Sequence, residues 1–254
     1  MTQAAKTLEG KYAIVTGASG SIGSKIALAL AHQGANLALL YYKNDKSIRK
    51  IAQKIEQMGT EVVVLGADAR EPEQVQTSIA EIERHFPKID ILVNNHGVAR
   101  DGLLITMREQ DWDNVIETNL SGTLYFCQAV VPNMVKHQFG RIINIASVTG
   151  LIPQKMRANY GASKRGMIAL TRSLSYALAG KGILINAIAP QVIKGGISKD
   201  IAFKESKMRK EMTPLSRFGL PEEVAEVVTF LASEQTSYMT GSVINISGGL
   251  ATWI

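Results

Sequence analysis

Short apolar runs alternate with amphipathic stretches along the whole chain. Runs rich in β-branched and other apolar residues at 11–16, 36–42, 61–66, 89–94, 141–146, 183–189 and 243–246 predict strands. Between them, apolar positions recur at helical spacing over 21–33, 45–58, 72–85, about 107–137, 158–179 and 221–232. Strands that are apolar throughout are buried on both faces, and strands separated by helices pair in parallel. The pattern therefore predicts an α/β fold with one doubly wound domain over 1–254, its seven-stranded parallel sheet flanked by helices on both faces. Residues 191–220 break the rhythm. They are rich in Lys, Ser and Met, lack a strand and follow the sixth strand, where a substrate lid is expected.

Composition narrows the classes. Of 254 residues, 46% are apolar, enough for a substantial core, yet no run of about 18 apolar residues predicts a membrane span. Residues 1–10 show no apolar signal-peptide core, so a cytoplasmic protein is expected. The single cysteine, Cys127, excludes an intrachain disulfide and a multi-cysteine metal site, and no metal is expected. Its apolar surroundings, Thr123-Leu-Tyr-Phe-Cys127, predict a buried thiol. The formal charge of +6 suits anionic partners such as phosphorylated cofactors or acyl carriers. Its cations are scattered, with the largest grouping at 204–210, and no nucleic-acid motif accompanies them, so nucleic-acid binding is not expected.

Two constellations carry chemistry. The strand Lys11-Tyr-Ala-Ile-Val-Thr16 runs into Gly17-Ala-Ser-Gly20-Ser-Ile-Gly23, and then into a helical pattern at Ile22, Ile26, Ala29 and Leu30. A strand, a glycine turn and a helix N-terminus together bind a pyrophosphate, because the backbone approaches closely and unpaired N–H groups face the anion. Further on, Tyr160 and Lys164 stand four residues apart in a helical stretch, so phenol and ammonium share a face. A neighbouring ammonium favours phenolate and is expected to lower the tyrosine pKa. That would make the phenol an acid or base near neutral pH.

Taken with Asn94-Asn-His-Gly97, Asn119, Ser147 and Asn186-x-x-x-Pro190, these motifs resemble the short-chain dehydrogenase/reductase family over roughly residues 8–250. Within it, Arg100-Asp-Gly102, Trp112-Asp-x-Val-Ile-Glu-Thr-Asn119, Gly140-Arg-Ile-Ile-Asn-Ile, Leu215-Ser-Arg-Phe-Gly-Leu-Pro-Glu-Glu223 and the ending Gly241…Gly248-Gly249 look most like bacterial 3-oxoacyl-acyl-carrier-protein and acetoacetyl-CoA reductases. The resemblance implies a Rossmann domain, a homotetramer and reduction of a ketone, with a 3-oxoacyl thioester as the leading substrate. Another secondary alcohol or ketone is the second reading, and a non-catalytic nucleotide-binding scaffold is the rival from another class. The resemblance makes Tyr160 the proton donor, Lys164 the holder of the nicotinamide ribose, Ser147 the donor to the substrate oxygen and Asn119 a residue that disturbs its helix and holds a relay water.

The same resemblance assigns cofactor binding to Gly17, Ser19, Gly20, Ser21, Ile22, Gly23, Tyr41, Lys43, Asp68, Asn94, Tyr160, Lys164, Pro190 and Ile193. Asp68 would read the adenine edge, and Asn94 would bridge strands under the active site. An acid at the end of the second strand would select NAD. That position is Tyr41, no acid lies within 36–44 and Lys43 is cationic, so NADP(H) is expected, with NAD as the alternative. Some positions depart from the family. Ser21 stands where a glycine is usual, His96 replaces an alanine, Gln191 follows Pro190 in place of glycine, and Gly195 replaces a threonine that would hold the carboxamide. His96 could touch ligand and titrate near neutral pH, or simply pack, the reading favoured here. Two arginines used for carrier docking align with Pro132 and Tyr176, which weakens the acyl-carrier reading; Lys136, Arg172 and Lys181 lie nearby. Leu124, Phe126 and Val130 exceed what an isolated surface helix needs and suggest pairing across subunits, with core packing as the other explanation.

Overall fold

A computed structural model describes residues 6–196 and 210–251. Seven parallel strands form one sheet in the order β3-β2-β1-β4-β5-β6-β7. They are β1 Tyr12–Val15, β2 Asn36–Tyr41, β3 Val62–Gly66, β4 Ile91–Asn94, β5 Gly140–Ile145, β6 Ile183–Pro190 and β7 Val243–Ile246. The helices that alternate with them are α1 Ser21–His32, α2 Asp45–Glu56, α3 Pro72–His85, α4 Glu109–Ile116, α5 Gly122–His137, α6 Ala158–Leu178 and α7 Pro221–Ala232.

Side chains alternate across the sheet because the strand period is two. Ala13 and Val15 of β1 face the core under α1, α2 and α7, where Ile26, Leu30, Ile48, Ile55, Val224 and Val228 are buried. Ile14 points to the opposite core, with Val75, Ile79 and Ile82 of α3 and Phe126 and Val130 of α5. Both faces are thus closed, which is what uniformly apolar strands require.

Phe126 and Val130 are therefore core residues packed against the sheet, whereas Leu124 is half-buried and lies outside the core clusters. The exposed apolar surface lies elsewhere, at Leu104 (76% accessible), Ile105 (90%) and Tyr176 (94%).

The order reverses between β1 and β4, and the strands' carboxyl ends open a crevice at that switch point, where open α/β sheets bind ligands. A buried polar ladder fixes the floor. Asn94 Nδ2 donates to Asn144 Oδ1 at 2.9 Å, and Asn144 Nδ2 donates to Thr171 Oγ1 at 2.9 Å, joining β4, β5 and α6. Asn94 bridges strands as expected, but is fully buried beneath the cleft rather than lining it.

Between α4 and α5 the helix does not break. It widens into one π-helical turn, Glu117–Ser121, with Asn119 inside it. Such turns free backbone groups from the regular ladder and recur at functional sites.

Candidate active site

A cleft of about 490 Å³ opens over the carboxyl ends of β1, β4, β5 and β6. Its lining includes ten of the predicted residues besides Ser147: Gly17, Ser19, Gly20, Ser21, Ile22, Gly23, Tyr160, Lys164, Pro190 and Ile193. One end is backbone. Gly17 has φ +60°, and a Cβ there would stand 3.0 Å from His96 Cα. A Cβ at Gly23 would strike the Gly17 carbonyl. Gly20 caps α1 without a side-chain hydrogen bond, so the helix N-terminus meets the cleft uncovered. These features fit a dinucleotide pyrophosphate.

The other end carries side chains. Ser147 follows β5, with its hydroxyl accepting from Thr149 N at 3.2 Å. Tyr160 and Lys164 rise from the first turns of α6, both buried, with the ammonium 5.8 Å from the phenol ring centroid. Lys164 Nζ donates to the Ile145 carbonyl at 2.7 Å. Asn119 Oδ1 accepts from Val98 N at 2.8 Å, and its Nδ2 donates to Val98 O and Ser163 Oγ, each at 3.0 Å. A Cβ at Gly97 would lie 3.2 Å from Asn119 Oδ1 and 3.6 Å from Lys164 Nζ, so only glycine leaves the space between them open.

The electrostatics correct one expectation. Burial raises the Tyr160 pKa, and what works against it is hydrogen bonding with Ser147 and then the charge of Arg157, not Lys164. Lys164 is equally buried, and desolvation draws its own pKa down to about 7.

Three predicted cofactor contacts lie outside the lining along with Asn94. Tyr41 donates its hydroxyl to Asp45 Oδ1 at 2.9 Å, and Arg49 Nε holds the other oxygen at 2.8 Å. An acid does therefore stand at the end of β2, one residue beyond the window read in the sequence, with its charge compensated by Arg49. Lys43 Nζ stacks 4.6 Å from the Tyr42 ring, and Arg70 lies near the same ring. Asp68 is gripped by Arg70 at 2.6 Å, which keeps its carboxyl below the usual range.

The departures prove to be local accommodations. His96 packs and also lines the cleft: its ring lies 5.3 Å from Phe126, and Nδ1 is 2.7 Å from Thr16 Oγ1. Burial, helped by Lys164, pushes its pKa down to about 3, so it is neutral at physiological pH. Ser21 and Gly195 face each other; a Cβ on Gly195 would lie 3.5 Å from Ser21 Cβ. Gly195 has φ +75°, which disfavours threonine. Gln191 Nε2 donates to Thr213 Oγ1 at 3.1 Å, and Ile193 bridges Gly219, so the two stems of the 191–220 excursion are fastened together. Its middle, 197–209, lies outside the described residues.

Gln154, Arg157, Thr149 and Asn95 also line the cleft and were missed in the sequence. Arg157 could have been suspected from its place three residues before Tyr160, and Asn95 from the motif Asn94-Asn-His-Gly97; Gln154 and Thr149 left no signal. Cys127 is buried, with its thiol pushed up to about 12 by desolvation. Among the described residues no His, Cys, Asp and Glu group is arranged to hold a metal, and no helix is long and apolar enough to cross a membrane.

A family model described as enoyl-(acyl carrier protein) reductase matches residues 17–251. The chain is 38% identical over 240 residues to a 3-oxoacyl-[acyl-carrier-protein] reductase of Staphylococcus aureus, covering 94% of this chain and 98% of that one. It is also 38% identical over 243 residues to the enzyme of the same name from Thermotoga maritima, covering 96% and 98%. A short-chain type dehydrogenase/reductase from Mycobacterium marinum superposes with a TM-score of 0.93 at 31% identity, over 98% of each chain. This chain belongs to the short-chain dehydrogenase/reductase family. A putative gluconate dehydrogenase from Agrobacterium tumefaciens shares the fold at a TM-score of 0.94 and 27% identity, over 99% of this chain and all of that one. This short-chain dehydrogenase/reductase is an NAD(P)-dependent oxidoreductase, and the scaffold reading is set aside.

Proposed function

We propose that the protein is an NADPH-preferring carbonyl reductase that converts a 3-oxoacyl thioester to the 3-hydroxyacyl product. The observation that carries this reading is the convergence of Ser147, Tyr160 and Lys164 on one cleft whose other end is a glycine cradle. The bound cofactor supplies hydride to the carbonyl carbon. Ser147 hydrogen-bonds the carbonyl oxygen where negative charge develops. Tyr160, kept protonated by burial, gives its proton to that oxygen. Lys164 holds the ribose hydroxyls, and Asn119 keeps the π-helical turn against Val98 and Ser163. In this reading 191–220 serves as the substrate lid, and its described stems meet where Ile193 bridges Gly219. The relatives named for 3-oxoacyl-carrier reduction support the substrate. Exposed Pro132 and Tyr176, at the positions of the docking arginines, leave carrier protein a weaker partner than a free-standing thioester. NADPH oxidation followed by absorbance with acetoacetyl-CoA tests the reading; no turnover with NADPH or NADH would reject it.

Lys43, stacked on Tyr42, supports the preference for a 2′-phosphate, while Arg70 is taken up by Asp68 and Arg49 offsets Asp45. Lys43→Ala is expected to weaken NADPH by about tenfold, a loss of ~1.4 kcal/mol, and NADH by much less. Equal loss for both cofactors, measured by fluorescence titration, would remove Lys43 from this role.

The protein assembles as a homotetramer in this reading, now supported by the exposed Leu104, Ile105 and Tyr176 rather than by the apolar face of α5. Sedimentation at micromolar concentration should give four times the chain mass, and a monomer there would count against it.

A further inference from the structure

We propose that Thr149 is a positioning residue for the reduction: its hydroxyl turns to donate to Ser147 Oγ when a ketone oxygen accepts from Ser147, so that the serine meets the substrate only as a donor. The inference rests on the reading of the cleft as a ketone reductase and adds the group that directs the serine proton.

Ser147 leaves β5 with an extended backbone and caps the short helical turn Val148–Gly150. The turn brings Thr149 back to the serine. Thr149 N donates to Ser147 Oγ at 3.2 Å, and Ser147 Oγ donates to Thr149 Oγ1 at 3.3 Å. Both residues are buried, and both line the cleft. The turn is pressed against α6: Gly150 N donates to Ser147 O at 2.9 Å, and a Cβ on Gly150 would lie 2.8 Å from the Lys164 carbonyl carbon. A Cβ on Gly161, the residue after Tyr160, would lie 3.6 Å from Thr149 Cγ2, so the methyl faces the helix. A β-branched side chain has few χ1 choices, and with its methyl against α6 the hydroxyl stays on the Ser147 side.

A hydroxyl carries one proton and two lone pairs. The Thr149 N–H takes one lone pair of Ser147 Oγ. The two hydroxyls share one further bond, in which either can donate. Among the described residues no other group accepts from Thr149 Oγ1. When a ketone oxygen accepts from Ser147, Thr149 Oγ1 loses its donor, and its own proton turns to the second lone pair of Ser147 Oγ. Both lone pairs are then filled, and a hydroxyl that accepts two hydrogen bonds donates a stronger third, because bonds in a chain polarise one another. Ser147 also hydrogen-bonds with Tyr160. Once its lone pairs are filled it no longer accepts from the phenol, and the phenol proton is left for the ketone.

No proton leaves either hydroxyl. One hydride from NADPH forms the C–H bond, the carbonyl π electrons move to oxygen, and Tyr160 supplies the proton, later restored from solvent. Thr149 acts through Ser147 on the oxygen where charge gathers, so its effect falls on the chemical step and not on cofactor binding.

The test follows NADPH oxidation with acetoacetyl-CoA in the wild type, Thr149→Val, Thr149→Ser, Ser147→Ala and the double variant of Ser147→Ala with Thr149→Val. Valine keeps the branched shape and the backbone N–H and removes the hydroxyl. Thr149→Val is expected to lower kcat by about three- to tenfold, the loss of one neutral hydrogen bond. The KM for acetoacetyl-CoA and the Kd for NADPH should stay within about twofold. Thr149→Ala, which lacks the hydroxyl without the branch, should show the same loss, and Thr149→Ser should recover most of the rate. In the Ser147→Ala background, adding Thr149→Val should change kcat by less than about twofold, because the group it acts on is gone. A Thr149→Val variant with kcat at or above the wild-type value would overturn the proposal. So would an undiminished loss in the Ser147→Ala background, or a loss that serine does not recover; either makes Thr149 a packing residue only. In all three cases turnover by the wild type leaves the reductase reading standing. A wild type that turns over no acetoacetyl-CoA would remove both.

Discussion

Replacing Tyr160 by phenylalanine is expected to lower kcat by roughly 10²–10⁴-fold while changing the Kd for NADPH by less than a few-fold. The substitution removes one oxygen from a ring that is buried and packed at the cleft, so the fold keeps its shape. What it loses is the only phenol lining the cleft among the described residues. Burial raises that phenol's pKa above its ordinary value, which keeps the proton in place at neutral pH and suits reduction. Oxidation of the alcohol needs the phenolate, so its rate should rise with pH well above neutrality. Steady-state rates in both directions, with cofactor titration by fluorescence, check this. A variant that keeps more than half of wild-type kcat would remove Tyr160 from the proton transfer.

Lys164→Met is expected to cost activity and to raise stability at the same time. The ammonium is buried, and its one short hydrogen bond is to the Ile145 carbonyl. Desolvation alone accounts for its fall from 10.5 to about 7. Between those two values the unfolded chain holds a proton that the folded chain has released, so stability rises with pH across this window. Below about 7 both states carry the charge, and the full penalty of burying it is present. Methionine has no charge to bury, although it leaves the Ile145 carbonyl without its donor, at a cost of about 1 kcal/mol. The variant should therefore be more stable than wild type near neutrality by a margin on the order of 1–3 kcal/mol. The margin should shrink as pH approaches the alkaline limit. Thermal melts across about pH 6 to pH 9 read this directly, and a variant less stable than wild type at every pH would show that the ammonium is not a net cost. Turnover should fall by at least about 100-fold, since nothing in methionine can hold the ribose hydroxyls.

These paired outcomes show why the site is stable only as part of a larger core. Tyr160, Lys164, Asn119 and Ser163 are polar groups in an apolar setting, and each needs its partner supplied from another element. Val98 supplies two partners for Asn119, Ile145 one for Lys164, and Asn144 ties the floor to α6 through Thr171. The helices and strands that bring these residues together are closed on both faces by apolar side chains far from the chemistry.

The sequence by itself determined the sheet, the helices and the members of the site, because these depend on local periodicity and on residue types at fixed spacing. The pattern at 72–85 and 221–232 gives α3 and α7 to the residue, since α3 begins at Pro72 and α7 at Pro221, where proline's fixed φ suits a first turn. Ser147, Tyr160 and Lys164 were legible as well, with spacing enough to place them together. What spacing could not give was the field they sit in. Lys164 was expected to lower the Tyr160 pKa, and only the packed interior shows that desolvation outweighs it. Asp45 lies one residue past the end of the window read for cofactor choice, and its link to Tyr41 and Arg49 exists only once β2 and α2 are folded against each other. The π-helical turn at Asn119 keeps the same apolar rhythm as an ordinary helix, so periodicity passed over its geometry. Phe126 and Val130 look alike whether they face a sheet or a second subunit, because an apolar stripe records that it is covered and not by what. Contacts between residues far apart in the chain, such as Ser21 against Gly195 and Arg157 against Asp101, were decided by tertiary structure alone: each pair meets only when separate strands and helices converge on the same end of the sheet.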